Sequence, residues 1–105
     1  MREPTFLVLT ALAAGPQHGY AVIEDVATMT GGRVKLRAGT LYAALDRLRG
    51  DGLIEVDREE VVASRLRRYY RLTGIGRDLL SAETERLRRN AAAADRRLSL
   101  GDQAA

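Results

Sequence analysis

Cysteine is absent from the 105 residues, which excludes disulfides, thiolate metal ligands and a cysteine nucleophile. Tryptophan is absent too, and Phe6 is the only phenylalanine, so a ligand clamp built on indole is unavailable. His18 is the only histidine, and with no cysteine or second imidazole beside it neither a metal nor a cofactor is expected. Ser64, Ser81 and Ser99 have no histidine near them, so no nucleophile–base–acid set can be assembled and an enzyme is not expected. Long apolar runs are also missing. Phe6–Leu9 and Ala11–Ala14 fall far short of the roughly 20 residues that a membrane span requires, and no signal-peptide pattern stands at the start. These absences point to a soluble, cytoplasmic chain without a membrane partner.

What is present suits one small folded domain: 46% of the residues are hydrophobic, too many for a disordered chain. The net charge is only +3, but it is unevenly spread. Residues 33–49 carry Arg33, Lys35, Arg37, Arg47 and Arg49 against Asp46, a balance of +4, and residues 58–71 carry five arginines against Glu59 and Glu60, a balance of +3. Residues 1–32 and 50–57 are net negative, at −2 and −3. Two basic segments separated by acidic ones predict an oriented positive surface facing a polyanion.

The pattern along the chain predicts four helices and a hairpin. Pro4 opens a first helix with Phe6, Leu7, Leu9, Leu12 and Ala13 on its apolar stripe, and Gly15-Pro16 stops it. A second helix runs from Gly19 or Tyr20 to Met29 and closes at Thr30-Gly31-Gly32. The third occupies "LRAGTLYAALDRLRG", with Leu41, Ala44, Leu45 and Leu48 on one face, and ends at Gly50-Asp51-Gly52. Leu53–Asp57 and Leu66–Leu72 read as paired strands with residues 58–65 as their tip, and Tyr70 alternates in phase with Leu72 toward the core. Thr73 is the expected N-cap of a long last helix, along which Leu80, Leu87, Ala91, Ala94 and Leu98 form a narrow seam. A domain this short cannot cover that seam along its length, so it suits packing against another helix.

Three helices followed by a hairpin is the order of a winged helix-turn-helix, and the third helix has the surface such a fold needs. Gly39, Ala43, Asp46 and Arg47 lie opposite Leu41 and Leu48, with Thr40 and Tyr42 at the margins. The small side chains of Gly39 and Ala43 allow close approach to a groove. Arg47 suits either a guanine or a phosphate, and the hydroxyls of Thr40 and Tyr42 suit phosphates or bases, with Tyr42 also placed to pack at the edge of the core. In the wing, Arg65, Arg67 and Arg68 are placed for phosphate contact, as is Lys35 in the loop before the third helix. Tyr69 stands open between phosphate contact and simple exposure.

"HGY" at 18–20, "GTLYAALDRLRGDGLIE" at 39–55 and "RRYYRLTGIGR" at 67–77, in this order and spacing, resemble the PadR family of bacterial transcriptional regulators over about residues 4–98. The single short C-terminal helix resembles its smaller subfamily. The resemblance implies a mainly α fold with a small β-hairpin: a winged helix-turn-helix at 1–73, a dimerisation helix at 74–98 and a flexible tail at 99–105. It implies a homodimeric repressor on a pseudo-palindromic double-stranded DNA operator, relieved by a small-molecule effector at the dimer interface or by another signal. Phe6 and Leu9 of the first helix would then join Leu80, Leu87, Ala91, Ala94 and Leu98 in the interface, and His18 would have a structural role at the start of the second helix.

The chain departs from the family pattern at the third helix and at the wing. Arg37 and Ala38 stand where the family usually has Ser-Pro, removing a hydroxyl cap at a cost of about 1 kcal/mol. Arg37 is therefore expected to contact phosphate at the helix start. Ala43 replaces a frequent proline, and the wing carries "EEVVAS" in place of a glycine-rich tip, so Glu59 and Glu60 would face phosphate with the wrong charge. That acidity and the missing cap together motivate an alternative function, a ligand-sensing or protein-docking winged helix that does not bind DNA.

Overall fold

The computed structural model describes residues 1–104 and has the order α1 (Glu3–Ala13), β1 (Gln17–His18), α2 (Gly19–Met29), α3 (Ala38–Gly50), β2 (Ile54–Val62), β3 (Arg65–Leu72) and α4 (Gly74–Ala104). α1, α2 and α3 enclose one core with the base of the hairpin. Its members are Val8, Leu9, Ala11 and Leu12 of α1, Val22 and Val26 of α2, Leu41, Leu45 and Leu48 of α3, then Ile54, Tyr70, Leu72 and Leu80. Each buried aliphatic side chain among them contributes about 1.5–3 kcal/mol by leaving water.

Pro4 lies in the first turn of α1, where its missing N–H leaves no bond unmade. α2 begins at His18, whose Nδ1 accepts the Ala21 N–H at 3.4 Å. This is the structural role expected of His18. Two side chains then join the layers. Gln17 Nε2 donates to the Ala11 carbonyl at 2.7 Å and to Asp25 Oδ2 at 3.0 Å. Thr30 Oγ1 donates to the Val26 carbonyl at 2.8 Å and accepts the Val34 N–H at 3.1 Å, which holds the loop between α2 and α3.

The sheet has three antiparallel strands in the order β1-β3-β2. Its third strand, Gln17–His18 against Tyr70–Tyr69, was not expected, because two residues are too few to show a period. The hairpin arms are also longer than the sequence predicted. Pairing runs from Ile54↔Leu72 to Val62↔Arg65, with a bulge at Asp57, so residues 58–62 belong to β2 and the turn is Ala63-Ser64 alone. Both turn residues have positive φ, 51° and 63°. A two-residue hairpin turn normally places glycine or asparagine there, and each ordinary residue in the left-handed region costs about 1–2 kcal/mol.

α4 is anchored at its start. Thr73 Oγ1 accepts the Gly76 N–H at 3.0 Å, the cap expected of it, and donates to the Gly52 carbonyl at 2.6 Å. Gly76 lies against the Leu53 carbonyl so closely that a Cβ would overlap its oxygen. Arg77 Nη2 then donates to the Ala13 carbonyl at 3.3 Å, tying α4 to the end of α1. Beyond Leu80 the helix leaves the body. Its 31 residues extend about 46 Å at 1.5 Å per residue. The molecule measures 64 × 28 × 20 Å with a radius of gyration of 16.9 Å, against about 13 Å for a compact chain of this size. The segment expected as a tail from residue 99 instead continues α4 as far as Ala104, and Ala105 lies outside the described residues.

Candidate nucleic-acid interface

α3 turns two different faces to its surroundings. Leu41, Leu45 and Leu48 are buried, while Gly39, Thr40, Tyr42, Ala43, Asp46 and Arg47 are exposed. The burial of the leucines fixes the helix, so the opposite stripe is held out rigidly. On one shoulder, Thr40, Ala44 and Arg47 border an open groove of about 420 Å³ against Arg2, Pro4 and Thr5 of the α1 start. Arg47 leans into that groove, with Nη2 3.4 Å from Thr5 Oγ1. On the other shoulder, Tyr42 and Asp46 border a groove of about 510 Å³ shared with Tyr20 of α2 and Leu66 and Arg68 of the wing.

Tyr42 packs at the edge of the core and still presents surface. It remains 42% exposed, yet its hydroxyl is wedged against the α2 start, where a Cβ on Gly19 would come within 2.5 Å of Oη. Glycine at 19 is therefore what gives the Tyr42 ring its place against the α2 start. Arg37 is the N-cap residue of α3 in extended conformation (φ −82°, ψ 148°), and its side chain makes no capping bond. It is exposed, as are Lys35 before it and Ala38 after it.

In the wing, the alternation of β3 sorts its residues. Leu66, Arg68, Tyr70 and Leu72 share the face that continues the core, whereas Arg65, Arg67, Tyr69 and Arg71 face away. Tyr70 is buried as expected. Tyr69 is half-buried rather than simply exposed: its ring meets His18 edge-on at 5.3 Å and carries the Arg58 guanidinium 3.9 Å above its centre. Burial, and then the positive Arg67, push the His18 imidazole below its ordinary pKa, favouring the neutral ring whose Nδ1 accepts the capping bond.

The acidity of the wing is largely neutralised within it. Arg68 Nε pairs with Glu59 at 3.2 Å, Arg58 with Glu60 at 2.8 Å and Asp57 at 3.0 Å, and Arg71 with Glu55 at 2.9 Å and Asp57 at 3.3 Å. The Arg58 guanidinium holds the Glu60 carboxyl below the usual carboxylate range. Glu59 and Glu60 thus lie on a paired strand rather than at the tip. The tip itself is Val61 to Leu66, where the cross-strand pair Val61 and Leu66 is 74% and 62% exposed. Leu66 keeps the alternation that the sequence shows, but the strand has by then run past the body that would bury it. Among the described residues Arg65, Arg67, Lys35 and Arg37 enter no ion pair.

The residues expected at a dimer interface separate into two groups. Leu9 is fully buried in the protomer and Leu80 nearly so, because both complete its core, and Phe6 packs partly against it. Leu9 therefore has no surface to offer a partner. Leu87 and Leu98, by contrast, are 40% and 67% exposed, and Ala91 and Ala94 between them are exposed too.

Residues 8–82, more than half of the chain, match the model of the transcriptional regulator PadR-like family. An uncharacterised 37.1 kDa protein in transposon TN4556 of Streptomyces fradiae is 40% identical over 87 residues, 83% of this chain and 24% of that protein. The chain thus spans about a quarter of the length of that relative. A PadR family transcriptional regulator from Eggerthella lenta superposes with a TM-score of 0.75 at 27% identity, covering 90% of this chain and 80% of the other. Bacillus subtilis PadR in complex with operator DNA shares the fold at a TM-score of 0.71 and 21% identity, over 79% of this chain and 47% of the other.

Proposed function

Because the chain belongs to the PadR-like family of transcriptional regulators, we propose that it binds double-stranded operator DNA as a homodimer, with α3 in the major groove and the β2–β3 wing on the flanking backbone. The observation that carries this reading is the outer face of α3, bare and exposed between two grooves, with Arg37, Lys35, Arg65 and Arg67 around it free of ion pairs among the described residues. Gly39 and Ala43 give clearance to the groove floor, Arg47 reaches a guanine or a phosphate from one shoulder, and Thr40 and Tyr42 offer hydroxyls. Arg65, Arg67 and Arg68 serve the wing. Bacillus subtilis PadR, which shares the fold, is known in complex with operator DNA, which supports DNA as the partner.

The dimer in this proposal forms through the uncovered seam Leu87, Ala91, Ala94 and Leu98, with the half-buried Phe6 of α1 adding to it. A two-fold axis between two such protomers suits a pseudo-palindrome with half-sites about 34 Å apart. We assign it a repressor's role in the cytoplasm, with an effector acting between α1 and α4 of the two protomers, where it can change the separation of the α3 helices. The pairing of Glu59 and Glu60 inside the hairpin weakens one motive for a docking module without DNA, while the uncapped start of α3 remains. Fluorescence anisotropy with random and selected duplexes at two salt concentrations tests the proposal. Arg67→Ala should weaken binding to every sequence and reduce the salt slope by about one, whereas Arg47→Ala should lose discrimination between sequences. Salt-independent or absent binding refutes it.

A further inference from the structure

One residue on the outer face of α3 has the wrong charge for a surface built to meet phosphate. Ala43 continues the stripe that begins at Gly39, and one turn later that stripe divides, to Asp46 three residues on and Arg47 four residues on. Asp46 is exposed and borders the groove between α3, Tyr20 and the inner face of the wing. The nearby carboxylates of the wing, Glu55, Asp57, Glu59 and Glu60, are each held by an arginine. Asp46 enters no ion pair among the described residues, although Arg47 and Arg49 follow it in the chain. Its charge is thus left for whatever the helix meets.

We propose that Asp46 is a specificity-determining residue that accepts a hydrogen bond from the exocyclic amino group of a cytosine in the major groove. The inference rests on the DNA-binding reading above and names a base contact within it. An ionised carboxylate can only accept, and the edges of guanine (O6 and N7) and thymine (O4) also only accept, so both are repelled. Adenine offers its N6 amino group, but the adjacent N7 lone pair opposes the second carboxylate oxygen. Cytosine offers N4 with a C–H beside it, and no acceptor competes. Placed against phosphate the carboxylate would only weaken binding. Placed on the groove side of α3, one turn beyond Ala43, it becomes an acceptor matched to the donor that Arg47 presents on the opposite shoulder.

Binding-site selection from random duplexes, with the full chain and with Asp46→Ala and Asp46→Asn, tests this. The parent protein should enrich cytosine at a symmetry-related pair of positions, by roughly tenfold over other bases. Asp46→Ala should bring those two positions close to parity, leave the other positions of the consensus intact and tighten binding to unrelated DNA. Asp46→Asn, similar in shape and exposed, should shift the preference toward adenine, whose N6 and N7 suit a side-chain amide. An unchanged consensus in Asp46→Ala, or a uniform gain in affinity with every base preference retained, overturns the proposal while DNA recognition stands. If the parent protein itself enriches no sequence, the DNA-reading function falls and this inference with it.

Discussion

The anchor of α4 makes a prediction in which two glycines of one helix turn respond with opposite signs. At Gly74 a Cβ would meet nothing within 4 Å, so Gly74→Ala should gain the helix preference of alanine, about 0.8–1 kcal/mol at most. At Gly76 the same gain is available, but the new methyl would overlap the Leu53 carbonyl oxygen, which is backbone and cannot rotate away. That carbonyl already accepts the Thr73 N–H at 3.1 Å, while Thr73 Oγ1 holds the Gly76 N–H and the Gly52 carbonyl. Moving the helix outward therefore strains the cap and its hydrogen bonds together. Overpacking costs about 1–3 kcal/mol and the cap and carbonyl bonds about 1 kcal/mol each. Against the propensity gain, Gly76→Ala should lose about 2–4 kcal/mol, a large share of the roughly 5–15 kcal/mol expected of a domain this size. Urea denaturation followed by far-ultraviolet circular dichroism, at matched protein concentration, reads both variants. Equal stabilities for the two, or a Gly76→Ala protein as stable as the parent, would refute the close-approach argument.

Other perturbations follow from the same geometry. The pKa of His18 is lower in the folded chain than its ordinary 6.5, so the unfolded state takes up the proton first as pH falls. Stability should be full above pH 6.5 and decline below it; the lowered carboxyls Glu3, Glu60 and Glu83 titrate below 4.5, leaving the interval between to His18. His18→Asn, which retains a capping acceptor, should flatten thermal stability from pH 7 to pH 5, and an unaltered slope would count against the assignment. Arg37→Ser restores a hydroxyl cap to α3 and should raise stability by about 1 kcal/mol while lowering DNA affinity and its salt dependence. Unchanged DNA binding would leave Arg37 without its proposed phosphate. Leu87→Lys combined with Leu98→Glu places charge on the exposed seam of α4 and should shift sedimentation to a monomer without unfolding the domain; a persisting dimer would move the interface elsewhere.

The sequence revealed most where a period had room to repeat. α1, α2 and α3 were legible because apolar residues recur on one face between clear stops, and Tyr70 and Leu72 declared the core side of β3. Gln17–His18 was not, because a two-residue strand has no period and forms only when β3 is already in place. The outer arm of β2 was hidden by its charges. Glu59 and Glu60 read as a polar tip, yet Glu59 pairs across the ladder with Arg68 while Glu60 is held by Arg58, partners that sequence order does not reveal. Residues 99–105 read as a tail, yet α4 continues through Gly101 as far as Ala104.

The residues expected at a dimer interface show why composition alone could not sort them. Leu9 and Leu98 are the same residue type on apolar stripes, yet one is wholly consumed by the protomer core and the other is 67% exposed. The difference is distance along α4 from its anchor: Leu80 still reaches α1 and β3, whereas residues one and more heptads later have left the body behind. A helix so anchored at one end, with an uncovered apolar seam beyond it, can act as a lever. A partner seated on Leu87 to Leu98 would set its direction, and the Thr73–Gly76–Leu53 junction would transmit that direction to the sheet that flanks α3. In the proposed dimer, stiffness at the junction and an uncovered seam at the far end would then act together, α4 setting the spacing of the two α3 helices. Loosening the junction with Thr73→Val, which removes both hydroxyl bonds, should accordingly reduce discrimination against operators of altered half-site spacing more than it weakens binding to a single half-site.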